Sequence, residues 1–162
     1  MENLVTITIN GKTAQVPSNY TIMQAADEMG ISIPRLCFLK DINENASCRV
    51  CVVEIAGMRS LKNSCSVEVG SILNREGTAT IYTNSKRVRL SVRQTLELIA
   101  ANHRFDCWKC PREHNCELLA LLRRFSIDNK MAESGEFAKK LPIINEGDAI
   151  VFDSSKCVLC GR

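Results

Sequence analysis

Nine cysteines in 162 residues fall into three groups whose spacing suits metal-cluster ligation. Cys37, Cys48, Cys51 and Cys65 read C-x10-C-x2-C-x13-C, and His103, Cys107, Cys110 and Cys116 read H-x3-C-x2-C-x5-C. Cys157 and Cys160 form a C-x2-C two residues before the sequence ends. Thiolates are the ligands of iron–sulfur clusters, two per iron in 2Fe–2S and one per iron in 4Fe–4S. Such clusters move single electrons, which makes electron transfer the leading reading.

Each group carries its own argument. In the first, Cys48 and Cys51 are expected to share one iron, with Cys37 and Cys65 completing the other. The polar loop Lys40–Ser47 suits convergent ligands, because Asn, Ser and Asp tolerate unusual backbone angles. Zinc competes, since C-x2-C serves both metals, but zinc ribbons present two close pairs and here Cys37 and Cys65 stand alone. The spacing also departs from the plant ferredoxin run C-x4-C-x2-C.

The second group, within HRFDCWKCPREHNC, can wrap one tetrahedral object, and Pro111 keeps the wrap compact by excluding helix. An imidazole in place of a thiolate removes a negative charge and should raise a cluster's potential, as in Rieske centres. Three cysteines with one histidine are equally a structural zinc set, so spacing favours iron only slightly here. His114 competes with His103 as the fourth ligand. Trp108 is expected either to shield the site or simply to pack.

The terminal pair matches half of the bacterial ferredoxin run, whose third cysteine would fall at the next position. The expectation is a front piece of a longer protein, with Cys157 and Cys160 as an incomplete 4Fe–4S site. A thioredoxin-like role is disfavoured, because no helix can follow the pair.

The elements that must position these residues read as α+β. Residues 4–9 alternate, Asn10-Gly11 supplies a type I′ turn, and Thr13–Val16 returns as a second strand. Thr21 and Gln24 form a capping box for a helix over 22–29, which Gly30 ends. Strands are expected at Val50–Ile55, Lys62–Val69 and Thr78–Thr83. A longer helix capped by Asn84 or Ser85 presents Val88, Val92, Leu96 and Ile99 on one face. A third helix starts near Cys116 and runs through Leu118–Leu122. Ser126–Gly147 reads as a connector, with a last strand at Ala149–Phe152.

The domain boundaries follow. Residues 1–83 are expected to form a β-grasp unit, 84–125 a helical unit carrying the histidine and its three cysteines, and 126–162 a connector and the start of a ferredoxin-type domain.

Composition narrows the function classes. The net charge of +3, 5% aromatics and scattered basic residues make nucleic acid a poor partner, and the basic run Lys86–Arg93 reads as a solvated helix face. No apolar run approaches a membrane span and no leader precedes the first strand. An odd cysteine count argues against a disulfide framework, so the expected location is a reducing, cytoplasmic one. No Ser/His/Asp set, dinucleotide glycine fingerprint or evident carboxylate pair suggests an active site of the chain's own.

With these motifs placed, PRLCFLKDINENASCRVCVVEI, LELIAANHRFDCWKCPREHNCELL and SSKCVLCGR together resemble the N-terminal region of iron-only (FeFe) hydrogenases. They are also similar to the front of the large peripheral subunit of respiratory complex I and of NAD-linked formate dehydrogenases. The resemblance implies a 2Fe–2S ferredoxin-like β-grasp domain with its cluster on Cys37, Cys48, Cys51 and Cys65. It implies a 4Fe–4S cluster on His103, Cys107, Cys110 and Cys116, and further 4Fe–4S clusters beyond Cys157 and Cys160 in the full-length parent.

The expected function is an electron relay to the catalytic domain of a larger oxidoreductase. Its partner would be a ferredoxin or a flavoprotein, such as an NAD(P)H-oxidising subunit, steered by nearby Lys and Arg. The rival from another class is a zinc-stabilised interaction module without redox activity.

Overall fold

The computed structural model describes residues 3–128, 143–144 and 150–161. Two compact units divide it: Met1–Val92 with Gly161–Arg162, and Arg93–Cys160. Among the described residues no helix is long and apolar enough to cross a membrane.

The first unit is a mixed five-stranded sheet against one short helix, an α+β arrangement of the β-grasp kind. Strands β1 (Leu4–Ile9), β2 (Lys12–Pro17), β3 (Val52–Ile55), β4 (Lys62–Asn63) and β5 (Thr78–Tyr82) lie in the order β2-β1-β5-β3-β4. The β1–β5 pairing is parallel and the others are antiparallel. Asn10 and Gly11 both take positive φ, 50° and 84°, as a type I′ turn demands. Asn10 also ties the hairpin to the end of β5, its side chain exchanging hydrogen bonds with Thr83 at 2.7 and 2.9 Å.

Helix α1 (Ile22–Glu28) starts at the expected capping box: Gln24 N–H donates to Thr21 Oγ1 at 3.2 Å, and Thr21 N–H to Gln24 Oε1 at 2.8 Å. It buries Ile22, Met23, Ala25 and Ala26 in the core beside Ile7, Ile9, Val53, Ile55 and Ile81. Burying such side chains contributes roughly 1.5–3 kcal/mol each for the larger ones.

Two strands are shorter than their patterns suggest. β3 begins at Val52, because Val50 and Cys51 belong to the preceding turn. β4 covers only Lys62–Asn63 of the expected Lys62–Val69. Beyond it the chain turns, with Ser66 and Val67 N–H donating to Asn63 O, and enters a 3-10 turn at Val69–Ile72. A continuing ladder would have alternated side chains across the sheet; the turn instead buries Ser64 and Cys65 in succession.

Helix α2 (Lys86–Ala101) begins in the first unit and ends in the second. Ser85 caps it, accepting from Val88 N–H at 3.3 Å. Val88, Val92, Leu96 and Ala100 form its buried stripe, with Ile99 half-buried. Its arginines lie on the exposed face with partners: Arg87 reaches Glu54 Oε1 at 2.7 Å and Arg93 reaches Glu97 Oε1 at 2.8 Å.

In the second unit two 3-10 turns, Cys107–Lys109 and Glu113–Asn115, lead into α3 (Glu117–Arg124), which buries Leu118, Leu121 and Leu122. Ile143–Ile144, expected within a connector, is a strand (β6) paired antiparallel with β7 (Phe152–Asp153). The last strand therefore starts at Phe152 rather than before it, and Ala149 lies outside the described residues. Most of the expected connector does too.

Candidate iron–sulfur sites

The first site is built from the loop between α1 and β3 and from the turn after β4. Cys37, Cys51 and Cys65 are buried and Cys48 is half-buried. Cys51 and Cys65 are part of the apolar core. Cys51 and Cys65 Sγ lie 3.3 Å apart, and the Cys37 and Cys48 thiols influence one another's ionisation, Cys37 lowered and Cys48 raised. Two thiolates on one tetrahedral metal, with bonds of about 2.3 Å, sit ~3.8 Å apart. The Cys51–Cys65 distance is thus near that of a shared metal and far from the ~2.05 Å of a disulfide.

This pairing differs from the expected one, in which Cys48 and Cys51 share an iron. Arg49, between them, is left-handed at φ 60°. Cys51 instead meets a cysteine from elsewhere in the chain.

Three non-glycine residues of this loop are left-handed: Asp41 (63°), Ala46 (52°) and Arg49 (60°). Each such residue costs about 1–2 kcal/mol unless its surroundings hold it. Of the residue types expected to bear such angles, only Asp41 does so; alanine and arginine take the other two.

Two polar residues fix the site: Asn43, which the sequence reading counted only among the loop's polar residues, and Ser64, which it passed over. Asn43 is buried, with its Nδ2 donating to the Cys37 carbonyl at 3.1 Å. Ser64, fully buried, sends its hydroxyl to the Cys51 carbonyl at 2.8 Å, and its N–H reaches the same oxygen at 3.1 Å. Nothing in their type signals this. Only burial distinguishes them from ordinary loop residues.

Donors converge on the sulfurs. Burial raises Cys37, but the Cys48 amide and thiol together with Ser47 outweigh it and leave its pKa lowered. At Cys48 burial prevails over the Val50 amide, and the pKa is raised. Cys51 is brought down to about 6, chiefly by its thiol–thiol hydrogen bond with Cys65 and, against burial, by the Cys65 amide and Ser64. Cys65 moves the opposite way, raised by that same bond and by burial. Amides aimed at thiolates compensate negative charge, as a cluster's ligand sulfurs require.

The second site follows α2 directly. His103 N–H donates to Ala100 O at 3.0 Å, which places the imidazole at the helix end. Cys110 N–H closes the first 3-10 turn on Cys107 O at 2.9 Å, and Cys116 caps α3, its sulfur accepting from Leu119 N–H at 3.4 Å. Cys107, Cys110 and Cys116 are all half-buried.

His103 is half-buried beneath the edge of Phe105 (centroids 4.9 Å apart), and its Nδ1 is buried without a hydrogen-bond partner. His114 is exposed. Burial, then the nearby Lys156 charge, lower the His103 pKa against Asp106, which favours the neutral imidazole that metals bind. Burial, then Cys116 and Cys110, raise Cys107.

Trp108 neither shields this site nor packs. It is 73% exposed, with Lys109 Nζ 4.3 Å from its ring centre.

At the end of the chain Cys157 is exposed and Cys160 half-buried. Leu159, at φ 53°, turns its N–H to Cys157 Sγ at 3.4 Å. A cleft of about 440 Å³ lies beside the pair, between Leu98, Ile99 and Asn102 on one side and Ser154, Cys157 and Leu159 on the other.

Among the described residues no three His, Cys, Asp or Glu side chains converge as a single metal ion requires. A 2Fe–2S cluster asks for two per iron and a 4Fe–4S cluster for one.

Comparison with known proteins agrees. Residues 2–73 match the family model of a 2Fe-2S iron-sulfur cluster binding domain, and residues 93–130 that of the NADH-ubiquinone oxidoreductase-G iron-sulfur binding region. The chain carries a 2Fe–2S domain followed by a 4Fe–4S binding region. These assignments displace the zinc-stabilised alternative.

Relatives include the NADP-reducing hydrogenase subunit HndD of Solidesulfovibrio fructosivorans, 39% identical over 99% of this chain. NADPH-Fe(3+) oxidoreductase subunit alpha of Geobacter sulfurreducens is 31% identical over 98% of the chain. The mitochondrial NADH-ubiquinone oxidoreductase 78 kDa subunit of Candida albicans is 26% identical over 98%. The chain spans 27% of the first relative, 18% of the second and 21% of the third. A crystal structure of an NAD+-reducing NiFe hydrogenase superposes with a TM-score of 0.80 at 24% identity, covering 97% of this chain and 63% of that one. That likeness establishes the fold alone.

Proposed function

We propose that this chain relays single electrons, with Cys37, Cys48, Cys51 and Cys65 holding a 2Fe–2S cluster and His103, Cys107, Cys110 and Cys116 a 4Fe–4S cluster. The observation that carries this is the succession in one chain of a 2Fe–2S domain and a 4Fe–4S binding region. The Cys51–Cys65 thiol contact supports these two sharing one iron, which leaves Cys37 and Cys48 for the other. The partnerless buried Nδ1 supports His103 over exposed His114.

When bound, the clusters supply reversible one-electron chemistry. The chain's own residues hold the sulfurs in place, exclude water from Cys37, Cys51 and Cys65, and direct amides at the thiolates. Cys157 and Cys160 are the ligands we assign to a further 4Fe–4S site.

The parent we propose is a hydrogenase of the iron-only class that draws on a nicotinamide-oxidising flavoprotein subunit or a ferredoxin. Its supports are the hydrogenase-like HNCEL and CGR segments and 39% identity to a hydrogenase subunit, against 31% and 26% to the other relatives named. The second reading, the same module in a complex I-like or formate dehydrogenase subunit, rests on those other relatives.

Anaerobic reconstitution with iron and sulfide tests the relay. The expected product is brown, holds about six irons and six sulfides per chain, and gives two distinct reduced EPR signals. Colourless protein without acid-labile sulfide would refute the proposal.

A further inference from the structure

Four charged side chains of the second unit join the two segments that carry its candidate ligands. Asp106 immediately precedes Cys107, and Lys156 immediately precedes Cys157. Lys156 Nζ lies 2.9 Å from Asp106 Oδ1, while Arg104 Nη2 lies 3.0 Å from Asp106 Oδ2. Arg104 Nη1 continues to Asp153 Oδ2 at 3.7 Å. Asp153 Oδ1 accepts from Ser155 N–H at 3.1 Å and from its hydroxyl at 2.5 Å, capping the 3-10 turn Ser154–Lys156. Arg104 N–H then donates to Ser155 O at 3.2 Å.

Single exposed ion pairs contribute little. These are not single: Asp106 and Arg104 each serve two partners. Nor are they fully exposed, since the Asp106, Asp153 and Lys156 side chains keep only 19%, 17% and 20% of their accessibility. Shared charges in a partly dehydrated setting reinforce one another.

We propose that Asp106 and Lys156 are positioning residues. Their strap fixes the Cys157–Cys160 turn in register with the His103–Cys107 segment and keeps a cation beside the His103 ligand set. The register is a property of the chain itself; the influence of the cation rests on the relay reading above. A fixed positive charge near an iron–sulfur site stabilises its reduced form and raises its potential, and a fixed negative charge lowers it.

The experiment compares full-length wild type with Lys156→Met, Lys156→Arg and Asp106→Asn, before and after anaerobic reconstitution. Hydrogen exchange at the Arg104, Ser155 and Cys157 amides should accelerate roughly tenfold in Lys156→Met and Asp106→Asn, and Lys156→Arg should restore protection. In an EPR redox titration, Lys156→Met should lower the potential of the His103-ligated centre and Asp106→Asn should raise it. Each shift should be at most about tenfold in the reduction equilibrium, ~59 mV for one electron.

Opposite signs separate charge from mere loosening, which would move both variants alike. Unchanged exchange in both variants would overturn the strap, and shifts of equal sign or none would overturn the role of the cation. If wild type binds no cluster, the relay reading fails and the cation's role with it, while the exchange data still decide the strap.

Discussion

The two candidate sites solve the same chemical problem with different surroundings. The first sets Cys51 and Cys65 into the hydrophobic core of the sheet, so site and fold share residues. The second hangs three half-buried thiols and one imidazole on 3-10 turns between two helices, with Trp108 and His114 facing solvent. A site embedded in a core inherits the rigidity of close packing, whereas a site on turns relies on caps and ion pairs. Damage at the first should therefore spread into stability, and damage at the second should stay with its own cluster.

The sharpest test is the loss of a ligand from each. Cys51→Ser should abolish the 2Fe–2S spectrum and, by placing a hydroxyl in the core, also destabilise the first unit by about 1–3 kcal/mol. Urea unfolding followed alongside iron content reads both effects. A variant that loses the cluster with its unfolding midpoint unchanged would contradict the shared-residue view.

His103→Ala should remove or convert the 4Fe–4S EPR signal while leaving the 2Fe–2S spectrum and the thermal midpoint of the sheet intact. His114→Ala should change neither. The reverse result would reassign the ligand.

Interior and surface can be contrasted without touching a ligand. Ile81 is fully buried between β1 and β3, and Ile81→Ala should cost about 2–5 kcal/mol, the range of large-to-small core changes. Trp108→Ala, at an exposed position, should stay within about 0.5 kcal/mol. Thr21→Ala, which removes the α1 cap, should fall between them at about 1 kcal/mol by chemical denaturation.

The smallest effect expected is a pH dependence. Hydrogen bonds from Ser85 and Arg87 hold the Glu54 carboxyl below the usual carboxylate range. A folded-state pKa below the unfolded one stabilises above the unfolded value and is lost as pH falls through the folded value. The gap in urea midpoint between wild type and Glu54→Gln should therefore be full at neutral pH and close as the solution becomes strongly acidic. A gap that is constant with pH would remove Glu54 from the account.

Local rules were legible wherever the deciding contacts lie within a few residues. Asn10-Gly11 announces its turn, Thr21 and Gln24 their capping box, Ser85 its helix, and Val88, Val92 and Leu96 their buried stripe. The grouping of cysteines within short segments likewise points to metal ligation, while leaving open which thiols meet.

Contacts that cross the chain were not legible. Cys51 meets Cys65 rather than Cys48, because the turn after β4 carries Cys65 into the core beside it. Asn43 and Ser64 look like loop residues until the fold closes over them, and Trp108 looks buried by type yet meets solvent.

Cysteine grouping in the amino-acid sequence pointed to metal ligation in three segments and residue patterning to an α+β fold, while the choice of iron–sulfur over zinc came from the family resemblance, because both metals share the short spacings. Which sulfurs meet, which amides face them, and that Asp106 and Lys156 join two candidate ligand segments some 50 residues apart in the chain emerged only from the folded chain. Hydrogen bonds and ion pairs act over a few ångströms in space, and distance along the chain carries no record of which atoms those few ångströms will contain.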